Sequence, residues 1–150
     1  MKHFATLASL QALAGQELAV TDWVSVDQQR IDLFAQATGD HQWIHVDPGR
    51  AAAGPFGATV AHGFLTLSLL PLFAEQGFAI DDVRMGINYG LNKVRFMAPV
   101  RVGSRLRARF VLLEWQPLEG GAQLTMQVTI ELEGSAKPAC VAEAVSRRYV

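Results

Sequence analysis

Little in this chain points to a highly charged partner. Only 18% of its 150 residues are charged, and 13 basic against 14 acidic residues give a formal net charge of -1. The basic residues are scattered, so they form neither a stripe for nucleic acid nor a polybasic segment for anionic lipid. We therefore expect no binding to nucleic acid or to a membrane surface.

Cysteine is nearly absent, and long apolar runs are missing. The lone Cys140 cannot form an internal disulfide, and its strand-like surroundings are typical of a buried small hydrophobe, which favours a reducing compartment. The longest apolar run, residues 64–74, is interrupted by polar residues and proline and is too short to cross a bilayer. Residues 1–4 do not lead into the apolar core of a secretory signal. We expect a soluble, cytoplasmic protein.

Apolar residues make up half of the chain, enough for one sizeable core. We expect a single domain over residues 1–150. In the first half, Asp27 is a plausible N-cap for a helix over residues 28–37, which Gly39 would end. The pair Asp47-Pro48 carries the same kind of start signal and predicts a short helix up to residue 53.

One predicted helix is apolar on every side. Residues 63–76 have hardly any polar face, which indicates a helix buried on all sides. Pro71 removes a backbone hydrogen bond inside it, so we expect a kink there.

The second half of the chain alternates with a period of two. Apolar residues alternate with arginines over residues 105–112 and with polar residues over 124–132, around a turn at Glu119-Gly120-Gly121. In such a hairpin the arginines would face glutamates of the other strand. Further strands are predicted over residues 17–26, 88–97 and 139–150. The predicted fold is α+β, an antiparallel sheet wrapped around one buried helix.

The most informative motif is Gly39-Asp40-His41-Gln42-Trp43-Ile44-His45, followed by His62-Gly63 at the start of the apolar helix. On a regular helix Asp40 and His45 would lie roughly 140° apart, so they can converge only through a turn or loop. A carboxylate and an imidazole together can supply a proton donor and a proton acceptor near neutral pH. That chemistry suits the addition or removal of water.

These residues resemble the MaoC-like hydratases of the hot-dog fold, the (R)-specific enoyl-CoA hydratases, and within them the NodN-like branch. The family loop is Gly-Asp-x-Asn-Pro-x-His, and here Gln42 and Trp43 replace Asn-Pro while the reactive positions are kept. The family's His-Gly landmark stands as His62-Gly63, and its Arg-Phe-x-x-Pro-Val phrase begins at Arg95. The likeness runs from about residue 23 to residue 102.

The resemblance implies reversible hydration of trans-2-enoyl thioesters of CoA or acyl carrier protein to (R)-3-hydroxyacyl thioesters. Asp40 and His45 would share one water, and the N–H of Gly63 would stabilise the charge on the thioester oxygen. No metal and no organic cofactor is implied. A homodimer is implied as well, and an open sheet of this size has an edge that pairing would cover.

Other residues are candidates for substrate binding, each beside a plainer role. His62 could contact substrate or only precede Gly63, and Trp43 is either a pocket wall or a lid. Ser68 could line a thioester channel or bond to a carbonyl freed by Pro71, with the second favoured. Asn88 and Asn92 would share an apolar strand face and line an acyl pocket or satisfy loop backbone. Lys93 and Arg95 would point to the other face of that strand, where they could contact the phosphates of the carrier or remain solvated surface charges.

Three other interpretations fit parts of the sequence. His41 and His45 have the spacing of zinc ligands, but no glutamate base and no third ligand accompany them, so no metal site is predicted. A hot-dog thioesterase would need no Asp40–His45 pair and would release free thiol. A non-catalytic subunit would bind acyl thioesters without turnover.

Overall fold

The structure, a computed structural model, describes residues 1–150. Its helices are α1 (Gln28–Thr38), α2 (Trp43–Val46), α3 (Pro48–Ala52), α4 (Gly63–Ser68) and α5 (Leu70–Gly77), with a 3-10 helix over Leu7–Leu13. Its strands are β1 (Lys2–Phe4), β2 (Glu17–Val20), β3 (Val24–Ser25), β4 (Phe78–Ile80), β5 (Met85–Phe96), β6 (Arg105–Leu118), β7 (Gly121–Leu132) and β8 (Cys140–Tyr149).

The predicted ends of the first helices are confirmed. The side chain of Asp27 accepts a hydrogen bond from the N–H of Arg30 at 2.9 Å at the start of α1. Gly39 follows the helix in the left-handed conformation, with φ of 81°, and its N–H donates to the carbonyl of Ala35. Glycine reaches this conformation without steric cost. Asp47 caps α3 in the same way as Asp27 caps α1.

A long antiparallel sheet forms the body of the protein, in the order β2-β6-β7-β8-β5, with β3 also paired to β6. Helices α4 and α5 pack on its inner face, where Leu65, Leu69 and Phe73 join the core side chains of β6 to β8. The predicted α+β fold, an antiparallel sheet around a central helix, is confirmed. The prediction that this helix is buried on all sides is wrong, because Phe64, Ser68 and Glu75 are exposed along one of its faces. The single-domain assignment stays a prediction.

The central helix breaks where proline predicts it. Leu69 separates α4 from α5, and Pro71 is the second residue of α5. The N–H of Leu69 donates to Thr66 three residues back, whereas the N–H of Phe73 returns to the four-residue spacing by donating to Leu69. Proline has no N–H to continue the first segment, so the kink is confirmed.

The predicted hairpin of β6 and β7 is also confirmed, with its arginines facing glutamates. Arg105 binds Glu133 at 2.6 Å, and Arg107 binds Glu131. Arg109 contacts Glu131 at 2.7 Å and reaches Glu17 on β2 at 2.6 Å. This row of ion pairs crosses three strands on the outer face. Each exposed pair contributes little, roughly 0.2–1 kcal/mol.

Some elements differ from the sequence expectation. The strand predicted over residues 17–26 is two short strands, because the hydroxyl of Thr21 accepts the N–H of Ala108 between them. Strands β1 and β4 form a small parallel sheet that was not predicted, because their sequences show no alternation of apolar and polar residues. The hairpin strands extend further than the alternating segments, to Leu118 and back from Gly121.

Cys140 lies in the core, as its strand-like surroundings predicted. Burial raises the pKa of its thiol to about 11, so the reactive thiolate is suppressed at neutral pH. No helix in the structure combines the length and the apolar character that crossing a membrane requires.

Candidate active site

Asp40 and His45 are brought together by a turn after α1. Gly39 reverses the chain, the carboxylate of Asp40 accepts the N–H of Gln42 at 3.3 Å, and the single turn α2 then presents His45. The expectation that the pair converges through a turn is met. The short helix α2 itself was not predicted from the sequence.

His45 is held in one orientation by the backbone. Its Nδ1 lies 2.6 Å from the main-chain carbonyl of Val60, which can only accept, so Nδ1 carries the hydrogen. In the neutral ring Nε2 therefore keeps its lone pair. The backbone of the two segments is joined as well, because the N–H of Val60 donates to the carbonyl of Ile44 at 3.0 Å.

Gln28 supports His45 from the start of α1. Its amide nitrogen donates to the main-chain carbonyl of His45 at 2.8 Å, and its amide oxygen accepts the hydroxyl of Thr59 at 2.6 Å. Sequence reasoning missed both residues. No local pattern marks them, since Gln28 is 17 positions from His45 and 31 from Thr59.

His62 holds the backbone of Asp40, the other member of the pair. Its Nε2 donates to the main-chain carbonyl of Asp40 at 3.0 Å, and its ring stacks on His45 with centroids 3.8 Å apart. The ring of Phe34 also packs against His62, with ring centroids 4.9 Å apart. Nδ1 of His62 is buried without a hydrogen-bond partner, so it is free to accept one. The sequence left open whether His62 contacts the substrate or only precedes Gly63, and in the structure it contacts both Asp40 and His45.

The three side chains form one compact group. Asp40, His45 and His62 each offer an oxygen or nitrogen atom, and these atoms lie within 4.8 Å of one another. A water that hydrogen-bonds two groups at about 2.8 Å each can bridge separations up to about 5.6 Å. Asp40 is exposed and the two histidines are buried, so the group is open on one side. His41 is exposed and lies outside the group.

The pKa of His45 is lowered from its ordinary value of 6.5. Burial is the largest cause, since it disfavours the charged ring, and the neighbouring His62 acts in the same direction. The hydrogen bond to Val60 and the charge of Asp40 oppose this shift but do not cancel it. His45 is therefore a neutral base at pH 7.

Gly63, the first residue of α4, lies against an aromatic ring. A Cβ at this position would come within 2.9 Å of the ring of Phe96, so a larger residue would have to displace it. The ring of Phe96 also meets Phe64 edge-on at 5.9 Å, and both rings are exposed. The N–H of Gly63 makes no hydrogen bond within the chain, as expected for a first helical residue.

Comparison with known proteins decides the family. The MaoC like domain matches residues 9–134. The chain is 57% identical to 3-hydroxyacyl-thioester dehydratase Z of Mycobacterium tuberculosis (strain CDC 1551 / Oshkosh) over 98% of both chains. It is 53% identical to Nodulation protein N of Rhizobium leguminosarum bv. viciae over 93% of this chain and 89% of the other. The (R)-hydratase from A. caviae superposes with a TM-score of 0.70 at 25% identity, covering 89% and 94% of the two chains.

The chain belongs to the MaoC-like family. The predicted resemblance, including its NodN-like character and hot-dog fold, is confirmed. The prediction of an enzyme of the hydratase and dehydratase class is confirmed as well.

Two predicted site residues near the MaoC-like loop and helix pack locally. The ring of Trp43 stacks on Arg50 at 4.3 Å and packs against Gly54, so it contacts neighbouring residues of its own loop. Ser68 donates to the carbonyl of Phe64 at 2.6 Å. The carbonyl freed by the missing N–H of Pro71 belongs to Leu67, so the expected acceptor for Ser68 was wrong.

The prediction that Asn88 and Asn92 share a strand face is wrong. Bulges interrupt the pairing of β5 with β8 between Asn88 and Gly90 and between Leu91 and Lys93. Each bulge inserts one residue and shifts the alternation by one place. Asn88 consequently lines the inner cavity, whereas Asn92 lines a shallow groove on the outer face. Lys93 and Arg95 are exposed, opposite outer-face residues of β8.

A large cavity lies beside the MaoC-like central helix. Its volume is about 970 Å³, within the size range of small-molecule sites. Leu67 and Ser68 form its near end, roughly one helical turn beyond Gly63. Arg148 lines it as well, and the sequence analysis overlooked this residue. Its signal was the pair Arg147-Arg148, because alternation in a strand turns one of two adjacent side chains inward.

We expect His45 to titrate below pH 6.5, since burial disfavours its charged form. An NMR titration of the histidine ring protons, with His45→Gln to assign the resonance, measures this. Because the folded pKa lies below the unfolded one, the unfolded chain binds more protons between the two values. The free energy of unfolding should therefore fall as the pH drops through 6.5, and by less in His45→Gln. A pKa of His45 at or above 6.5 would contradict the buried neutral base.

Proposed function

We propose that this enzyme hydrates trans-2-enoyl thioesters of CoA or acyl carrier protein reversibly to (R)-3-hydroxyacyl thioesters. The observation that carries the proposal is the exposed carboxylate of Asp40 beside the fixed, neutral imidazole of His45, within the span of one water. The names of the relatives, a 3-hydroxyacyl-thioester dehydratase and an (R)-hydratase, support the same substrate class.

The proton steps follow from the two side chains. Nε2 of His45 accepts a proton from the water as its oxygen bonds to the β-carbon of the enoyl group. Asp40 positions that water as a carboxylate. The proton taken up by His45 then passes to Asp40, which gives it to the α-carbon. Water is thereby added across the double bond, and both groups return to their starting state. The proposed reaction requires neither a metal nor an organic cofactor.

Gly63 supplies the electrostatic part of the proposal. Attack at the β-carbon moves negative charge onto the thioester oxygen, and an N–H at the start of a helix stabilises such charge. The Gly63 N–H has no acceptor within the chain, and the absence of a side chain lets the ring of Phe96 pack against the start of the helix. His62 contributes by holding the Asp40 carbonyl and stacking on His45.

The acyl chain would extend from Gly63 into the 970 Å³ cavity, along Ser68 and Asn88. Lys93 and Arg95, exposed on β5, are part of the proposal as contacts for the phosphates of the carrier. Trp43 would shape the loop in which Gln42-Trp43 replaces the Asn-Pro of the family pattern. We include a cytoplasmic location in the proposal, since the buried Cys140 fits a reducing compartment.

A second copy of this chain would complete the sheet. Strand β5 pairs only with β8, and its other edge is unpaired. Several apolar side chains of this strand are exposed, among them Ile87, Tyr89 and Leu91. An exposed, apolar edge strand is prone to pair with another chain. We therefore propose a homodimer joined along β5.

Asp40→Asn and His45→Gln should each lower the hydration rate of crotonyl-CoA by roughly a hundred- to ten-thousand-fold, since each removes a proton-transfer group. The double variant should lose less than the product of the single losses, because both groups act on one water. Loss of the enoyl absorbance measures the rate, and His41→Gln is the matched control. Wild-type rates in either single variant, or release of free thiol without hydration, would exclude the proposed chemistry.

Delivery of both hydroxyl and proton from the side of Asp40 and His45 should give syn addition and the (R)-3-hydroxyacyl product. A coupled assay with an (S)-specific 3-hydroxyacyl-CoA dehydrogenase and NAD should therefore produce no NADH. An (S)-specific hydratase in the same assay is the positive control, and chiral analysis of the hydrolysed product identifies the (R) acid. Strong NADH formation would contradict the proposed side of attack.

Light scattering after size exclusion should give twice the 16.3 kDa mass of one chain at all accessible concentrations. Ile87→Lys places a charge at the proposed interface and should shift the protein toward the monomer. Leu33→Lys is its control, because Leu33 is a similarly exposed apolar residue on α1. A wild-type monomer with full hydration activity would argue against the proposed pairing along β5.

A further inference from the structure

The cavity beside the central helix has an apolar wall and a cationic end. Most of its lining is apolar, including Leu70, Ala74 and Met126. Only two charged side chains line it, Glu75 and Arg148. Glu75 is exposed, whereas Arg148 is partly buried, so the arginine is the charge that the cavity encloses.

The strand register turns Arg148 toward the inside of the sheet. On β8 the inner face carries Ala142, Ala144 and Ser146, which pair with Val94, Leu91 and Asn88 of β5. Arg148 is the next residue on this face, opposite Gly86. Its neighbour Arg147 faces outward, where it stacks on Tyr89 at 3.6 Å and binds Gln123.

Gly86 makes room for this arginine. The guanidinium of Arg148 lies where a side chain at position 86 would be, so any larger residue there would collide with it. The glycine thus lets the guanidinium pack against the backbone of β5 beside the cavity.

Arg148 has no anionic partner in the chain. It takes part in none of the ion pairs of the structure, and its Nε is buried without an acceptor. Burial lowers the pKa of its guanidinium, which still remains charged at neutral pH. A buried guanidinium without a partner is unfavourable, and a bound anion would remove that penalty.

Arg148 lies far from the reacting atoms. Phe96, which packs against Gly63, pairs with Cys140, and eight positions of β8 separate Cys140 from Arg148. At 3.3 Å per residue this is about 26 Å along the strand. The guanidinium therefore faces the far end of an acyl chain whose thioester lies at Gly63.

We propose that the cavity accepts long-chain 2-enoyl thioesters whose far end carries a carboxylate, which Arg148 binds. This rests on the function proposed above, because it takes the thioester end to lie at Gly63. Arginine suits the task because its planar fork donates two parallel hydrogen bonds to a carboxylate. The apolar wall between the two ends would hold the methylene chain.

Hydration kinetics can test this with substrate pairs of equal length, one ending in a methyl group and one in a carboxylate. The wild-type enzyme should favour the carboxylate at the matching length by roughly ten- to a hundred-fold in kcat/KM, the range for a hydrogen bond to a charged group. The preference should appear mainly in KM, since Arg148 does not touch the reacting atoms.

Arg148→Met should abolish or invert this preference while leaving crotonyl-CoA hydration unchanged. Arg148→Lys should retain part of the preference, because it keeps the charge and loses the fork. Arg147→Met is the matched control on the outer face and should behave like the wild type. Circular dichroism and thermal unfolding establish that each variant is folded.

The outcomes separate this inference from the proposed function. If the wild type hydrates crotonyl-CoA but favours methyl-ended chains at every length, the inference fails and the proposed function stands. An unchanged preference in folded Arg148→Met also contradicts it. If Arg148→Met does not fold, the wild-type ratio and Arg148→Lys decide. If the wild type hydrates no enoyl thioester, both proposals fail together.

Discussion

The hydrogen bond from Nδ1 of His45 to the carbonyl of Val60, at 2.6 Å, is the contact on which the rest of the site depends. It fixes which ring nitrogen holds the hydrogen, and so leaves Nε2 as the base. Val60 can serve because its own N–H is bound to Ile44 and the next N–H, that of Ala61, is bound to Val100. The Val60 carbonyl is therefore held in place by backbone hydrogen bonds on both sides, and it fixes the orientation of the imidazole.

Both histidines donate a hydrogen bond from the ring to a main-chain carbonyl, but the two bonds have different consequences. His45 donates to a carbonyl and keeps a lone pair for chemistry, whereas His62 donates to the carbonyl of Asp40 and so fixes the loop that carries the acid. Their stacked rings are both buried, and burial keeps His45 neutral by lowering its pKa. Orientation and basicity thus arise from the same packing, at the start of the central helix.

The central helix connects this chemistry to the cavity. Its first residue, Gly63, directly follows His62, which contacts Asp40 and His45, and later residues of the helix form one wall of the cavity. Asn88 of β5 lies on the opposite wall, and the end of β8 contributes Arg148. A thioester at the helix start and an acyl chain along the helix would therefore occupy one continuous face of the protein.

Local signals in the sequence were sufficient for much of the fold. Caps at Asp27 and Asp47, the break at Pro71 and the alternation of β6 and β7 depend on neighbouring residues, and each was predicted. The support from Gln28, the hydrogen bond of His62 to the Asp40 carbonyl and the bulges of β5 were not. These depend on contacts between distant segments or on one inserted residue, which periodicity cannot reveal.

The site illustrates the same division. The pattern around Asp40, His45 and Gly63 was recognisable, and the structure brings Asp40 and His45 into one group. The face on which Asn92 lies was predicted wrongly because strict alternation was assumed across a bulged strand. Arg148 was overlooked because adjacent arginines at a strand end look like surface charge until the register is known.

The tautomer of His45 can be measured, and it decides whether Nε2 can act as the base. Nitrogen-15 NMR of the histidine side chains at neutral pH distinguishes a protonated from an unprotonated ring nitrogen, and His45→Gln assigns the signals. We expect a neutral ring with hydrogen on Nδ1 and a bare Nε2. A ring with hydrogen on Nε2, or one protonated on both nitrogens at pH 7, would contradict it.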